Sequence, residues 1–157
     1  MQPAIAIINK SELENGRLDA EYYQFQPLIS KIAKKNTKKL RHLTSWITQG
    51  PNPKFVKDGI PCLTGRNISK GELSLEGADQ VDDLEFDSLK RFRLKGNDVL
   101  ITLKGAGSTG KVALFNTDTK AIFSRNLGLI RIADSEIKPE FLYSFFSSSL
   151  GQIVIDR

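Results

Sequence analysis

The sequence predicts an α+β fold: a single domain with a mixed, largely antiparallel, twisted sheet flanked by N-terminal and C-terminal helices. Three observations carry this. Short β-branched and aromatic runs crowd the middle of the chain, separated by Gly, Asn, Asp and Thr turns. Apolar residues recur at helical spacing towards the two ends. With 157 residues, 39% of them hydrophobic and 26% charged, the chain fits one globular domain and is short for two.

Taken in order, residues 4–8 (Ala-Ile-Ala-Ile-Ile) read as a strand, and Ser11 or Asp19 is placed to cap the helix after it. Leu18, Tyr22, Phe25, Ile29 and Ile32 then repeat at helical spacing, and the stretch ends in Lys31, Lys34, Lys35 and Asn36. Pro27 sits inside it and kinks it or marks a new helical start. Residues 40–47 read as a second short amphipathic helix, leading into the breaker loop Gln49-Gly-Pro-Asn-Pro53. Strands are expected at 59–63, 99–103, 111–115, 121–123 and 127–132. Between the first two lies an acidic stretch, 72–87, with a short helix around 84–91. Pro139 opens the last helix, where a missing N–H costs nothing, and Phe141, Leu142, Phe145 and Phe146 form its apolar stripe. The expected divisions are an N-terminal segment 1–48, a β-rich core 49–133, and a C-terminal helix with the start of a spacer, 134–157.

One turn in the core nearly spells a nucleotide-binding loop. Gly105, four residues, Gly110 and Lys111 match a phosphate cradle up to the last position, where Val112 stands in place of the Mg²⁺-binding hydroxyl. The next residues are β-prone, so no helix N-terminus is signalled to face phosphates. A hairpin of two strands around a Gly-rich turn is the simpler reading.

Composition bounds the chemistry. One cysteine, Cys62, excludes an internal disulfide framework, and with one histidine, His42, an all-protein zinc site is not expected. A nucleophilic triad would have to use His42, which lies among basic residues on an expected helix. The carboxylates Asp79, Asp82, Asp83, Glu85 and Asp87 lack calcium-loop spacing and read as a solvated acidic loop. Asp98 with Lys104 hints at a metal nuclease, but Asp98 comes after the turn Gly96-Asn97, where Asp commonly bonds its own backbone. The expectation is therefore a chain that is not an enzyme and carries no cofactor. No apolar run approaches a membrane span and no secretory signal is visible, which sets a cytoplasmic expectation without a membrane partner.

Recognition is better supported. The net charge of +5 is uneven: +5 over residues 1–60, −4 over 61–90 and +4 over 91–157. That pattern fits one face kept for a polyanion, or an ordinary mixed surface. The basic run 34–41 would attract any polyanion. Two loops repeat an Arg-Asn pair, Thr64-Gly-Arg66-Asn67-Ile68 and Phe123-Ser-Arg125-Asn126-Leu127. Arg suits the guanine O6/N7 edge and Asn the adenine N6/N7 edge, while Ser, Thr and Gly amides suit phosphates. The structural alternative makes each Asn a turn stabiliser and each Arg half of an ion pair. Lys104, Lys111 and the turn between them offer a further phosphate seat.

In order and spacing these pieces resemble one target recognition domain of the DNA specificity (S) subunit of type I restriction-modification systems. The matching segments are 17–23 (Arg-Leu-Asp-Ala-Glu-Tyr-Tyr), 49–53, 59–68 (Gly-Ile-Pro-Cys-Leu-Thr-Gly-Arg-Asn-Ile), 94–102 (Leu-Lys-Gly-Asn-Asp-Val-Leu-Ile-Thr), 105–111, 138–142 (Lys-Pro-Glu-Phe-Leu) and 149–152 (Ser-Leu-Gly-Gln). In that family the Gly-rich turn is structural, so the near-Walker spelling needs no nucleotide. The resemblance implies a non-catalytic subunit that reads double-stranded DNA. Methyltransferase (M) subunits, which bind S-adenosylmethionine, and ATP-driven restriction (R) subunits carry the chemistry. A complete S subunit holds two such domains separated by long antiparallel helices. This chain stops at Arg157, about where the first spacer helix would develop, which leaves a half-length subunit, a truncated one, or a domain that pairs with itself or with a second S half. The residues expected to touch DNA are Gln49, Asn52, Lys54, Arg66, Asn67, Lys104, Lys111, Arg125 and Asn126. The alternative is a degenerate domain that binds M without reading DNA.

Overall fold

The computed structural model describes residues 6–13, 18, 20–33, 38–105, 109–133 and 137–155. It divides into two compact units, residues 1–38 with 156–157, and residues 39–155. The first contains a 3-10 turn, Lys10–Glu12, and two short helices, α1 (Ala20–Gln24) and α2 (Gln26–Ala33). Pro27 stands in the first turn of α2, so it marks a new helical start, one of its two expected roles. Residues 6–8 of the expected first strand are irregular, and residues 4–5 lie outside the described set. Leu18 is 81% exposed and so does not join the expected apolar stripe, in which Phe25 is half-buried. The side chains of Tyr22, Ile29 and Ile32 lie outside the described set, as do Asp19 and residues 34–37, which include Lys34 and Lys35.

The second unit is layered. Strand β1 (Thr44–Gln49) joins β9 (Leu127–Ile132), β6 (Asp98–Thr102) and β7 (Val112–Phe115) in an antiparallel sheet ordered β1-β9-β6-β7. A second sheet, ordered β5-β2-β8, contains β2 (Ile60–Leu63), antiparallel to β5 (Asp79–Val81) and parallel to β8 (Ile122–Phe123). A two-residue ribbon, β3 (Ile68–Ser69) with β4 (Glu72–Leu73), turns through Lys70 and Gly71, both at positive φ. The α+β class and the mixed, largely antiparallel pairing hold.

Alternation of side chains along each strand builds three apolar layers from these runs. Leu100, Ala113, Phe115, Leu127 and Leu129 face the gap between the sheets, where Leu63, Ile68 and Phe123 meet them. Their neighbours Val99, Val112 and Ile130 point the other way, onto Leu142 and Phe146 of helix α4 (Pro139–Ser147). On the far side of the second sheet, Cys62, Val81 and Ile122 pack on Phe86 of helix α3 (Asp83–Ser88). A strand covered on both faces reads as a continuous apolar run, which is why β6 and β7 are so plain in the sequence.

Three expectations are corrected and one further element is found. Residues 40–47 form a 3-10 turn, Leu40–His42, and then β1, because Thr44-Ser-Trp-Ile-Thr alternates half-buried and exposed side chains at strand period against β9. Phe141 is 63% exposed and leaves the stripe of α4, which buries Leu142 and Phe146. A further helix, α5 (Ser149–Ile155), comes after α4; its Gly151 admits the backbone of Phe145 and Phe146, where an added Cβ would lie 2.6 Å from the Phe146 Cα. The acidic stretch is not a solvated loop. Asp82 caps α3 by accepting from Glu85 N at 2.7 Å, Asp87 pairs with Arg93, and Asp79 lies on β5.

Candidate nucleic-acid interface

Strand register sets the site. Gln49 ends β1 opposite Gly128, Thr102 ends β6 opposite Leu127, and Leu63 ends β2 beside Phe123 of β8. The loops leaving all four strands therefore emerge together. They are 50–55, 64–67, 103–105 and 124–126. Two close fits hold them. Gly50 N donates to Leu127 O at 3.0 Å, and a Cβ on Gly50 would come within 2.5 Å of the Ser124 carbonyl carbon, so only glycine fits there. Gln49 Nε2 donates to the Arg125 carbonyl at 2.7 Å.

The loops enclose a groove of about 270 Å³ lined by Asn52, Phe55, Arg66, Lys104, Arg125 and Asn126, with Thr64, Gly65, Asp79, Gly105 and Ser124 completing it. Five of the nine residues expected to touch DNA thus converge from four separate segments: Asn52, Arg66, Lys104, Arg125 and Asn126. Three cations face one carboxylate. A larger groove of about 460 Å³ lies elsewhere and contains none of the nine. Its cations Arg93, Lys95 and Lys120 are matched by Asp83, Asp87 and Asp118, so it offers a polyanion no net attraction.

The other four candidates fall outside the groove. Gln49 is exposed, but its amide is engaged on the Arg125 carbonyl. Lys54 is exposed, and its backbone N–H donates to Glu85 Oε1 at 3.0 Å. Lys111 is half-buried, and its carbonyl accepts from Thr102 N at the foot of the hairpin. Asn67 is 5% exposed and committed to its own loop. Its Oδ1 accepts from Thr64 N at 2.9 Å and its Nδ2 donates to Ser74 O at 3.0 Å. For Asn67 the turn-stabilising alternative describes the geometry, and the side chain has no face left for a base.

The two Arg-Asn loops therefore differ. Arg125 carries no hydrogen bond or ion pair on its guanidinium among the described residues, and Asn126 contributes its carbonyl to Leu103 N at 2.8 Å while its side chain lines the groove. Arg66 is exposed yet paired, its Nη2 lying 2.8 Å from each oxygen of Asp79. Three lining residues of consequence escape a reading of the sequence. Asp79 sits thirteen positions from its partner, a separation set only by the β2–β5 pairing. Phe55 is 50% exposed at the rim. Ser124 is 4% exposed, and its buried Oγ has no hydrogen-bond partner among the described residues.

The near-Walker turn is a hairpin. β6 and β7 are antiparallel, Gly110 N donates to Thr102 O at 2.8 Å, and the residues after Lys111 continue as strand. Gly105 and Gly110 both have positive φ, which accounts for their presence; residues 106–108 lie outside the described set. A strand and not a helix follows the turn, so the strand–loop–helix of a nucleotide cradle is not built here.

The chain matches known proteins in sequence and in fold. Over 100 residues it is 29% identical to the type I restriction enzyme EcoBI specificity subunit of Escherichia coli. The HsdS subunit from Thermoanaerobacter tengcongensis superposes with a TM-score of 0.54 at 17% identity over 74% of this chain. The resemblance to a specificity-subunit recognition domain holds. A second solved chain, from work on complex assembly and conformational transition of the type I R-M system, gives a TM-score of 0.51 at 14% identity over 80% of this chain. The matched regions are 20%, 28% and 33% of those three proteins, so this chain spans a fifth to a third of each. No family model matches the chain. Among the described residues, no helix is long and apolar enough to cross a membrane.

Proposed function

We propose that the chain reads one part of a split double-stranded DNA site, as the specificity component that directs M and R subunits to it. The observation that carries this is the convergence of Asn52, Arg66, Lys104, Arg125 and Asn126 on one groove from four loops. Lys104 and Arg125, both exposed and without an ion pair among the described residues, are suited to phosphates. Asn52 and Asn126 supply amides of the type that pair with adenine, and Phe55 supplies an apolar rim suited to a thymine methyl group. On this reading the chain itself is not catalytic and binds no cofactor. Its Gln49, Lys54 and Lys111 act from the margins, and Asn67 shapes the loop. Pairing of two copies, or of this chain with a second S half, would give a bipartite reader.

The test is a gel shift of a randomised duplex pool by the chain assembled with its M subunit. Retention should fall steeply with salt, by about 0.9 in log–log slope for each phosphate neutralised. Lys104→Ala and Arg125→Ala should each flatten that slope by about 0.9. A chain–M complex that forms but retains no duplex would overturn the DNA reading and leave the protein-interaction module.

A further inference from the structure

We infer that Asp79 is a specificity-determining positioning residue: it holds Arg66 so that this arginine reads a paired-acceptor base edge, that of guanine, and does not clamp a phosphate. The inference rests on the DNA reading above and goes beyond it. Arg66 projects from the 3-10 turn Gly65–Asn67, whose frame is set by the buried Asn67 amide. Asp79 sits on β5, registered against Cys62 of β2, so its carboxylate is anchored to a sheet and not to a loop. Both residues line the groove.

The contact geometry matters. Both Asp79 oxygens take their hydrogen bonds from Arg66 Nη2, each at 2.8 Å. Nε–H and the Nη1 hydrogens are left without a partner among the described residues, and the end-on fork, one Nη1 hydrogen beside the outer Nη2 hydrogen, is the pair of donors that matches guanine O6 and N7 when the base comes from the side away from Asp79. A carboxylate against the guanidinium cancels most of its net attraction for a phosphate and would repel one brought close. Lys104 and Arg125 in the same groove carry no such counter-charge, which divides the cations into one base reader and two backbone holders. The pair also fixes a side chain that is 73% exposed and would otherwise be ordered only on binding. An exposed ion pair adds little to folding stability, so the arrangement has no strong structural reason to persist.

The experiment is selection from a duplex pool with a randomised segment, using the chain–M complex with wild type, Asp79→Asn and Arg66→Ala, each checked by thermal unfolding. Wild type should enrich a motif containing a guanine that Arg66→Ala loses, with discrimination at that base pair falling roughly 5- to 150-fold, the range for a bidentate contact. Asp79→Asn should keep the fold and bind unselected duplex more tightly, with a salt slope steeper by about 0.9 as Arg66 turns to a phosphate. Its preference for that guanine should loosen. A wild-type motif carried unchanged by Asp79→Asn overturns the inference while leaving DNA reading intact. A wild-type complex that enriches no motif overturns both.

Discussion

Removing the guanidinium of Arg131 should destabilise the second unit more than any change in the groove. Asp98 opens β6 with a side chain only 1% exposed, and Arg131 near the end of β9 meets it with Nε at 2.7 Å and Nη2 at 2.6 Å. The same Nη2 donates to the Arg93 carbonyl at 3.1 Å, and the second carboxylate oxygen also accepts from Lys95 N at 2.7 Å. Arg131→Ala leaves that carboxylate buried with one remaining donor, a loss of about 3–5 kcal/mol for a broken buried pair. Against a domain stability of about 5–15 kcal/mol, that is a large fraction. It should lower the melting temperature by on the order of 10–20 °C at this size. Urea denaturation measures it, and Asp98→Leu with Arg131→Met should recover at least half, since two apolar partners leave no stranded charge. A single-variant loss under about 1 kcal/mol would refute the reasoning, because it would mean water reaches Asp98.

Three further outcomes rest on the same geometry. Gly50→Ala should shift the 50–55 loop away from Ser124, costing about 1–3 kcal/mol and weakening duplex retention even though it removes no DNA-facing side chain; unchanged retention would show that the loop need not dock. Asn67→Ala strands the buried Thr64 N–H and should cost about 1–3 kcal/mol in denaturation, with Arg66 losing its fixed base. Burial, with a smaller push from the Asp79 carboxylate, raises the Cys62 thiol from 9.0 to about 12. The folded chain thus keeps a proton that the unfolded chain releases, so this contribution to stability is complete below about pH 9 and is lost as pH rises towards 12. Denaturation across that range, compared with Cys62→Ala, tests the sign, and fast labelling of the native thiol near neutral pH would contradict it.

Much of the fold is legible in the sequence because burial on both faces writes itself into β6 and β7 as near-continuous apolar runs, and Pro139 announces its helix. β1 is disguised because Leu40, Leu43 and Ile47 imitate helical spacing, whereas Trp46 and its β-branched neighbours settle into strand period only when β9 is alongside. β3, β4 and β5 are two or three residues long and rich in polar side chains, so pairing and not propensity decides them. The groove is half visible. Arg66, Lys104, Arg125 and Asn126 stand out by type, but Asp79 looks like one more solvated carboxylate, and Asn67 looks like the twin of Asn126. Which of two identical dipeptides is free to bind is a property of the loops around them.

The claim that this groove is the DNA face is tested most directly by hydrogen–deuterium exchange on the chain–M complex, with and without the duplex recovered by selection. Added protection is expected in the loops 50–55, 64–66, 103–105 and 124–126, with α3 and the mixed-charge groove beside it unchanged. Protection confined to α3 or α4, with those four loops exchanging as before, would contradict it.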